Sequence, residues 1–557
     1  MREHKSVLCA HAPWHRVERA PDPDDFSSHM QLLTALKPEQ GWPRLWAWVP
    51  VRWRGGDRFE RVRAPVHSEL FRAEPAACPG EPLRHALALR HFPAGPDTGL
   101  LCLFIYLDPR ADAEEGGNGA TLADLREQDL DLAIAELLQQ QAPSEWAHAF
   151  VPSPSAEIEA EGLSFLLAAC QYPPGLLDVS RGAERDPALA SPADAAMARL
   201  LAFCRQHPDG RKVSLLLIAG DEIYADASGG LADPSTSAER YARPYQQFKA
   251  GLARHLPPTL ARIVHAPDDH EVQDACEPCL RPDGSQDPGA YTASARTAAW
   301  QYRWEPDGQR PQGSPQRFWH SFDWRGAASF FIADTRLERE PRTVARVAEA
   351  QMIGAAQRQA FSAWLQASAG RPRFVLSGAL LLPRRRASAA HVSGSLRSDA
   401  WCGYPASQQW LLAELWRQRA SGVVFLSGDE HRSGHVSAEL RRADGQGPSL
   451  RLHSIHSSAL YAPWPFAVTA PEEFAAPEVF GIDAATGLTP EALAQQRHPE
   501  LLCCEVGEWQ DHPGDGFAWL RVTDDGRRLE LRYDKAGEKA LHAAMPMRGA
   551  DAVLALD

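Results

Sequence analysis

Residues 213–226 read VSLLLIAGDEIYAD, an apolar run that ends in a glycine and a short acidic and aromatic segment. In α/β sheets, ligands bind outside the carboxyl ends of the strands. A single aspartate after a strand usually caps a turn or a helix. Other apolar runs also end in side chains that bind metals: Cys170 after 166–169, Asp268, Asp269 and His270 after 263–267, and Asp429 and His431 after 423–428. Together these ends predict a cation site, because crowded carboxylates repel one another unless a cation neutralises them.

The region from about 161 to 465 alternates apolar strand-like runs with amphipathic helical segments, which indicates a layered α/β domain. The predicted strands are Leu163–Ala169, Val213–Ala219, Ala261–His265, Ser329–Ala333, Phe374–Ser377 and Val423–Ser427. Apolar residues recur at helical spacing in the predicted helices, which are Pro192–His207, Ala238–His255, Ala355–Ser368 and Ser407–Arg419.

Two further parts flank this region. Residues 1–160 contain short strand-like runs between proline and glycine residues, which predicts a small β-rich, sandwich-like domain; the runs are Leu45–Trp53, Leu87–Phe92 and Leu100–Leu107. Residues 466–557 form a C-terminal extension in which Phe517–Val522 and Leu529–Tyr533 alternate around a turn at 524–526. We expect this hairpin to pack on the α/β domain, 161–465, and to cover a sheet edge.

The composition of the chain limits which binding partners and which cellular location are expected. The chain has 58 Lys+Arg against 72 Asp+Glu, a net charge of -14, which repels a polyanion, so nucleic acid is not an expected partner. No apolar run approaches the roughly 20 residues of a membrane-spanning helix, and residues 1–21 lack the apolar core of a signal peptide. We therefore expect a cytoplasmic protein with no membrane partner. The ten cysteines are spread thinly, which favours reduced thiols or metal ligands over disulfides.

Several motifs occur in one order along the chain. Residues 220–226 match the G-D-x-x-Y form of the metallophosphoesterase motif. With C-Q-Y at 170–172, D-D-H-E at 268–271 and S-G-D-x-H at 427–431, the set resembles the PhoD-like alkaline phosphatases of the calcineurin-like metallophosphoesterase superfamily. The segment FFIADTRLER at 330–339 is similar to the family's strand before D-T-R-x-x-R, and Gly354 with Gln357 is similar to its G-x-x-Q helix. The resemblance covers about 165–440.

The resemblance implies two metal ions and a layered metallophosphoesterase sandwich flanked by helices. The first ion would be held by Cys170, Asp221, Tyr224 and His431. The second would share Asp221 and add Asp269 and Asp429. Thiolate, phenolate and imidazole ligands favour a transition metal, whereas carboxylates favour a hard cation. The family suggests iron at the first site and calcium, or Mg²⁺ or Mn²⁺, at the second.

The resemblance also implies a mechanism. A metal-bound hydroxide would attack phosphorus in line, while both cations stabilise the phosphoryl oxygens. His270 would contact the phosphate or protonate the leaving group. Arg336 would contact phosphate at the pocket rim, because arginine matches phosphate geometry; the alternative is an ion pair with Asp334 or Glu338.

Some positions depart from the broader superfamily. Cys170 stands where the first D-x-H motif is usual, and Asp429 replaces the first histidine of the last motif, as in the PhoD-like branch. Residues 375–379 offer no histidine ligand, which favours a second site that is weak or calcium-like. Asp268 can exchange roles with Asp269, and Asp274 is either a further ligand or a polar turn residue.

Other candidate residues have simpler explanations. Cys276 and Cys279 form a C-x-x-C without a second pair, so surface thiols are favoured over a zinc site. His435 is either a structural residue in a strand or a partner of a ligand. The aromatic residues of 300–324 are expected in the core or the pocket wall, rather than as a platform for stacked bases; they include Trp300, Tyr302, Trp304, Trp319 and Trp324.

The sequence therefore predicts a hydrolase of phosphomonoesters or phosphodiesters that takes a small phosphorylated substrate. The alternative is a catalytically weak PhoD-like protein that binds a phosphorylated ligand or a protein partner. A third reading is a metal-dependent hydrolase of another ester, since metal-assisted hydrolysis is not limited to phosphorus. The physiological substrate and the oligomeric state do not follow from the sequence, because pocket loops set specificity.

Overall fold

The computed structural model divides the chain into two compact units. One comprises Met1–Ala160, Tyr245–Ala261 and Gln301–Gln309, and the other comprises Glu161–Pro244, Arg262–Trp300 and Arg310–Asp557. The three-part boundaries expected from the sequence stay a prediction. The structure describes residues 14–19, 28–34, 45–54, 59–62, 67–70, 83–89, 98–105, 147–152, 162–173, 195–227, 240–241, 244–245, 248, 262–280, 286–287, 292–302, 317–324, 326–463, 471–475, 477–483, 501–534 and 550–557.

The first unit contains two antiparallel sheets among its described residues. Their order is β1-β2-β6 in one, and β4-β3-β7-β8 in the other, where β5 also pairs with β3. The strands are β1 (Trp14–Arg19), β2 (Ser28–Thr34), β3 (Leu45–Trp53), β4 (Phe59–Arg61), β5 (His67–Leu70), β6 (Leu83–Leu89), β7 (Thr98–Ile105) and β8 (Ala147–Pro152). The unit is β-rich, as predicted, although Phe92 and Leu107 lie outside the described residues.

The strands of the second unit begin with the run that contains Cys170. They are β9 (Ser164–Gln171), β10 (Leu215–Ile218), β11 (Arg262–His265), β12 (Cys279–Leu280), β13 (Gln286–Asp287), β14 (His320–Trp324), β15 (Ala328–Ile332), β16 (Arg373–Leu376), β17 (Val423–Ser427), β18 (Arg432–Arg442), β19 (Leu450–His456), β20 (Ala459–Tyr461), β21 (Val479–Asp483), β22 (Leu501–Pro513), β23 (Ala518–Thr523), β24 (Arg528–Tyr533) and β25 (Ala552–Ala555).

The α-helices that the structure describes are α1 (Ala195–Gln206), α2 (Thr292–Tyr302), α3 (Ala355–Ala367), α4 (Arg386–Ala390) and α5 (Pro405–Arg417). Helices α1, α3 and α5 match predicted helices, whereas the predicted helix at 238–255 lies largely outside the described residues. None of the helices in the described ranges is both long and apolar enough to cross a membrane.

The strands form two large mixed sheets. The first has the order β11-β10-β9-β23-β24-β25, with β20 also on β9, and the second has the order β14-β15-β16-β17-β19-β18-β22-β21. The centres are parallel: β10 pairs with β9 and β11, and β16 and β17 pair between β15 and β19. All six predicted strands are present, and the layered α/β fold is confirmed.

A core of aromatic and aliphatic side chains joins the two sheets. Phe165 of β9 contacts Phe374 of β16 edge to face, with ring centroids 5.1 Å apart. On the outer face of the second sheet, Phe331 packs edge to face on Phe361 of α3 at 5.2 Å. Burying such a side chain contributes about 1.5–3 kcal/mol. Because β15 to β17 are covered on both faces, their sequences are continuous apolar runs rather than alternating ones.

The C-terminal hairpin extends the first sheet. Strand β23 pairs antiparallel with β9, where Ala518 lies opposite Leu167, and β24 follows it with β25 outside. The turn at 524–526 uses two positive-φ aspartates before Gly526. The pairing of β23 holds β9, and with it the chain that leads into Cys170, on the side opposite β10.

Candidate metal centre

Strand ends position the candidate ligands. Cys170 is near the end of β9, Asp221 follows β10, and Asp269 follows β11; these three strands are parallel neighbours, so their carboxyl ends meet at one edge. Asp429 and His431 follow β17 of the second sheet. The structure brings all of these side chains together in three overlapping groups, in each of which the possible ligand atoms lie within 4.8 Å of one another: Cys170–Asp221–His431, Asp221–Asp269–His270 and Asp268–Asp269–Asp429.

The first group combines soft and hard donors. The Cys170 thiol donates to Oδ2 of Asp221 at 3.4 Å, and the Tyr224 hydroxyl lies 3.5 Å from Nε2 of His431. All four side chains are buried. Thiolate, phenolate, imidazole and carboxylate in one pocket are suited to a transition metal.

The second and third groups are dominated by carboxylates around one arginine. Arg336 donates from Nε to Asp268 and from Nη1 to Asp399 at 2.7 Å, and its Nη2 lies 3.1 Å from Oδ2 of Asp429 and 3.8 Å from Oδ1 of Asp269. The guanidinium is fully buried. Because it faces four carboxylates on three separate segments, it offsets part of their mutual repulsion.

This position corrects the sequence-based expectation for Arg336. We expected the side chain at the pocket rim, or paired with Asp334 or Glu338. The guanidinium instead lies inside the carboxylate cluster, and only its backbone N–H bonds Asp334, at 3.1 Å. The physical reason is that Asp334 turns inward and accepts backbone N–H groups, including that of Leu337 at 2.8 Å. Its predicted catalytic role stays a proposal.

His270 is held by an aspartate that the sequence analysis did not assign. Nδ1 of His270 lies 2.9 Å from Oδ1 of Asp226, and its ring stacks on Tyr224 at 4.2 Å. Its backbone N–H donates to Asp221 at 3.1 Å. Burial alone would lower the pKa of His270, but Asp269, Asp221 and Asp226 raise it well above its ordinary value. Asp226 lies five residues after Asp221, at the end of the segment 213–226. This acidic residue at the end of the motif was the feature of the sequence that could have indicated a partner for His270.

The backbone at the centre is unusual. Cys170, Asp221, Asp429 and His431 have φ values of 50°, 51°, 67° and 50°, and they make up half of the eight positive-φ residues other than glycine in the described ranges. Such conformations cost free energy and cluster at functional sites. Gly220 also has a positive φ, and a Cβ there would lie 2.2 Å from Cβ of Asp268. The strand ends therefore approach more closely than larger residues would allow.

Burial and crowding disfavour negative charge at the centre. Burial and neighbouring carboxylates raise the pKa of Asp221 well above its ordinary value, and they do the same for the Cys170 thiol and the Tyr224 phenol. Burial raises the pKa of Asp268 to about 7, although Arg336 opposes the rise. A bound cation would reverse this balance, because it favours the deprotonated forms of its ligands.

The residues present fit metal ions. Oδ2 of Asp268 and Oδ1 of Asp269 are buried without a hydrogen-bond partner among the described residues. Buried polar atoms of this kind are costly unless something satisfies them. Both aspartates share a group with Asp429, so the choice between Asp268 and Asp269 as ligand stays open.

The remaining sequence candidates lie outside these groups. The Asp274 side chain is 70% exposed, which fits a turn residue. Cys276 is half-buried, and the Cys279 side chain lies outside the described residues, as do the side chains of Trp300, Tyr302 and Trp304. Trp319 donates to Glu338 at 2.9 Å. Trp324 packs against the core between the sheets.

Comparison with known proteins gives a consistent result. Residues 201–470 match the family model described as PhoD-like phosphatase. No curated protein matches the chain. Among solved structures, one described as "Structure of PhoD" aligns with a TM-score of 0.51 and 15% identity, covering 100% of this chain and 90% of the other, which supports the fold. The family match and the ordered motifs on the same strand ends agree, so residues 201–470 are similar to the PhoD-like phosphatase family.

Proposed function

We propose that this protein is a metal-dependent phosphoesterase that hydrolyses phosphomonoesters or phosphodiesters of small molecules. The observation that carries the proposal is the convergence of thiol, phenol, imidazole and carboxylate donors in one buried centre, beside a histidine held by an aspartate. The family match supports phosphoric ester hydrolysis in general. A cytoplasmic location and a partner limited to small substrate remain part of the proposal.

Two metal ions would be held by this chain's residues. Iron would take Cys170, Asp221, Tyr224 and His431, whose donors suit a transition metal. Calcium, or Mg²⁺ or Mn²⁺, would share Asp221 and take carboxylates of the second and third groups, namely Asp269 and Asp429. When bound, the ions supply Lewis-acid stabilisation of the phosphoryl oxygens and activation of water.

The chain's own residues would orient the substrate and move a proton. Asp226 fixes the Nδ1 proton of His270, and Nε2 of the same ring would act on the substrate. Against the effect of burial, the hydrogen bond to Asp226 raises the pKa of His270, which favours the protonated form that can donate to a leaving-group oxygen. Arg336 holds Asp268 and Asp399 at fixed positions through hydrogen bonds from its guanidinium, and its Nη2 forms an ion pair with Asp429.

Metal analysis combined with paired assays tests this function. Purified protein is assayed for bound metals and for hydrolysis of 4-nitrophenyl phosphate and bis(4-nitrophenyl) phosphate, before and after treatment with a chelator. We expect hydrolysis of at least one ester, its loss with the metals and its recovery when metals are returned. Turnover that persists in fully metal-depleted protein, or the absence of turnover in protein that carries both metals, would contradict the proposal.

A further inference from the structure

A cavity of about 350 Å³ lies beside the candidate metal centre. Three arginines line it, Arg296, Arg336 and Arg339, together with Glu338 and Cys276. Arg336 contacts the carboxylates of the centre and also lines this cavity, so the two spaces are adjacent. The volume is within the range of small-molecule sites.

The charged neighbours of Arg339 are already engaged. The Arg336 guanidinium bonds Asp268 and Asp399. The Glu338 carboxylate accepts N–H groups from Trp319 at 2.9 Å, and from Gly354 and Gln357 at 3.0 and 2.9 Å. Glu338 therefore uses its lone pairs on other donors, and it makes no ion pair with Arg339.

Arg339 itself is a buried cation without a carboxylate partner among the described residues. It is 4% exposed. Nε donates to the Thr335 carbonyl at 2.6 Å, Nη2 donates to the Asp399 carbonyl, and Nη1 has no hydrogen-bond partner in the described ranges. Burial lowers the pKa of Arg339, and the nearby Arg336 lowers it further, because both disfavour the charged form. A buried guanidinium is costly unless an anion pairs with it.

We propose that this cavity binds a second anionic group, a carboxylate or a phosphate, carried by the leaving group of the ester, and that Arg339 is the residue that recognises it. The inference rests on the proposed function, which places the scissile phosphoryl group at the metal centre. Arginine presents its N–H donors in a planar fork that fits either oxyanion. The substrate class is therefore a phosphoester with two separate anionic ends.

A purely structural role for Arg339 makes a different prediction. If the side chain served only to hold the Thr335 and Asp399 carbonyls, its loss would slow all substrates by the same factor. A recognition role slows the substrates with a second anion more than those without one. The ratio between substrates, compared between the variant and wild type, separates the two roles, because the intrinsic reactivity of each leaving group is the same in both proteins.

The test uses metal-loaded full-length protein and three esters: phenyl phosphate, 4-carboxyphenyl phosphate and 4-phosphonophenyl phosphate. The variants are Arg339→Gln and, should that protein fail to fold, Arg339→Lys, which keeps the charge but loses the fork. Arg373→Gln is the matched control, because Arg373 is also buried, bonds a carbonyl, that of Ser421 at 2.9 Å, and lies at the start of β16, away from the centre.

We expect Arg339→Gln to reduce the ratio of kcat/KM for a two-anion ester over phenyl phosphate by about tenfold or more, the effect of a lost charged hydrogen bond. Arg339→Lys should reduce it by less, and Arg373→Gln should leave it unchanged. A loss confined to the carboxylate ester or to the phosphonate ester identifies which oxyanion the cavity takes. An unchanged ratio in both Arg339 variants, or an equal fall in Arg373→Gln, would overturn the inference.

Calorimetric binding of two inert analogues separates this inference from the proposed function. We expect 4-carboxyphenylphosphonate to bind more tightly than phenylphosphonate, and Arg339→Gln to remove about tenfold of that difference. If the difference is found in protein that hydrolyses none of the esters, the cavity assignment stands and the proposed function fails. If the esters are hydrolysed but the two analogues bind equally, the cavity assignment fails and the proposed function stands.

Discussion

His270, at the candidate metal centre, and His456, in β19 of the second sheet, are both buried, yet their pKa values move in opposite directions. Burial lowers the pKa of each ring. At His270 the carboxylates of three aspartates overcome burial and raise the pKa well above its ordinary value. At His456 burial prevails, with Arg432 acting in the same direction, and the pKa falls to about 4.

His453, three residues earlier in β19, shows how a buried histidine is kept neutral. Its Nε2 donates to the Ala555 carbonyl at 2.8 Å, and its Nδ1 lies 2.9 Å from the Ser437 hydroxyl. Both nitrogens are satisfied by neutral groups, and burial lowers the pKa to about 4. The comparison shows that neighbouring carboxylates, rather than depth of burial, decide whether the pKa of a buried histidine rises or falls.

The largest expected effect comes from removing the carboxylate common to two of the ligand groups. Asp221→Asn should lower the metal content and reduce hydrolysis by more than about 10³-fold together, because a central group is removed from a site that acts as a unit. Elemental analysis and kcat/KM are measured on the same preparation. Asp444→Asn, at a half-exposed aspartate in the turn after β18, is the control. A fully active Asp221→Asn protein would remove this residue from the centre.

The next largest effect concerns the pH dependence of the free energy of unfolding, to which the buried, neutral histidines contribute. The folded pKa of His453, about 4, lies below the unfolded value of about 6.5, so the unfolded chain binds more protons and stability falls as the pH falls between these values. The free energy of unfolding should decrease between pH 7 and pH 4 by about 3 kcal/mol less in His453→Gln than in wild type. Denaturant titrations at each pH measure it, with the exposed His391→Gln as control. Parallel curves for wild type and His453→Gln would refute the assignment.

His270→Ala tests the other half of the comparison. We expect the metals to be retained and kcat to fall by about 10²-fold or more, because a general acid is lost. Rate and metal content are measured together. Since His270 also lies within ligand distance of Asp221 and Asp269, a loss of metal in the variant would instead make it a ligand.

Asp226→Asn sharpens the comparison by removing one of the charges that raise the pKa of His270. The pKa of His270 should then fall, so the imidazole loses its proton at a lower pH. The alkaline limb of the kcat profile should therefore move toward lower pH. The rate at neutral pH should fall by about tenfold, at the lower end of acid–base effects. A uniform fall with no displacement of the pH profile would show that Asp226 does not act through His270.

The smallest change in volume is Tyr224→Phe, which tests the metal at the first site. A phenolate bound to ferric iron has a charge-transfer band in the visible, so iron-loaded protein should be coloured, and the variant should shift or bleach the band and retain iron less well. Ca²⁺, Mg²⁺ or Zn²⁺ would give no such band. Tyr172→Phe is the control, since that ring lies 5.1 Å from Tyr224 and its hydroxyl donates to the Ala227 carbonyl. A colourless, active iron-loaded protein would contradict an iron–tyrosine site.

Much of the fold and the list of candidate ligands follow from the sequence, because both depend on local patterns. The apolar runs that predict β9, β10 and β17 are covered on both faces in the structure, and a candidate ligand lies at or just after the carboxyl end of each. The ligand role of each residue stays a prediction. The structure adds that four candidate ligands share the left-handed backbone conformation: Cys170, Asp221, Asp429 and His431. Apart from glycine, the type of a residue does not predict this conformation.

The layered α/β fold and the residues that end its strands were predictable from the sequence alone, because periodicity and the order of motifs are properties of neighbouring residues. Folding in three dimensions was needed to place Arg336 among aspartates up to 93 residues away, from Asp268 to Asp429, and to bring Asp226 to His270 across 44 residues. It also decided which buried groups are charged, since a pKa depends on burial and on neighbours in space. The same holds for Arg339. Nothing in its local sequence indicates an unusual environment, whereas packing buries the side chain at a cavity without a carboxylate partner in the described part of the chain.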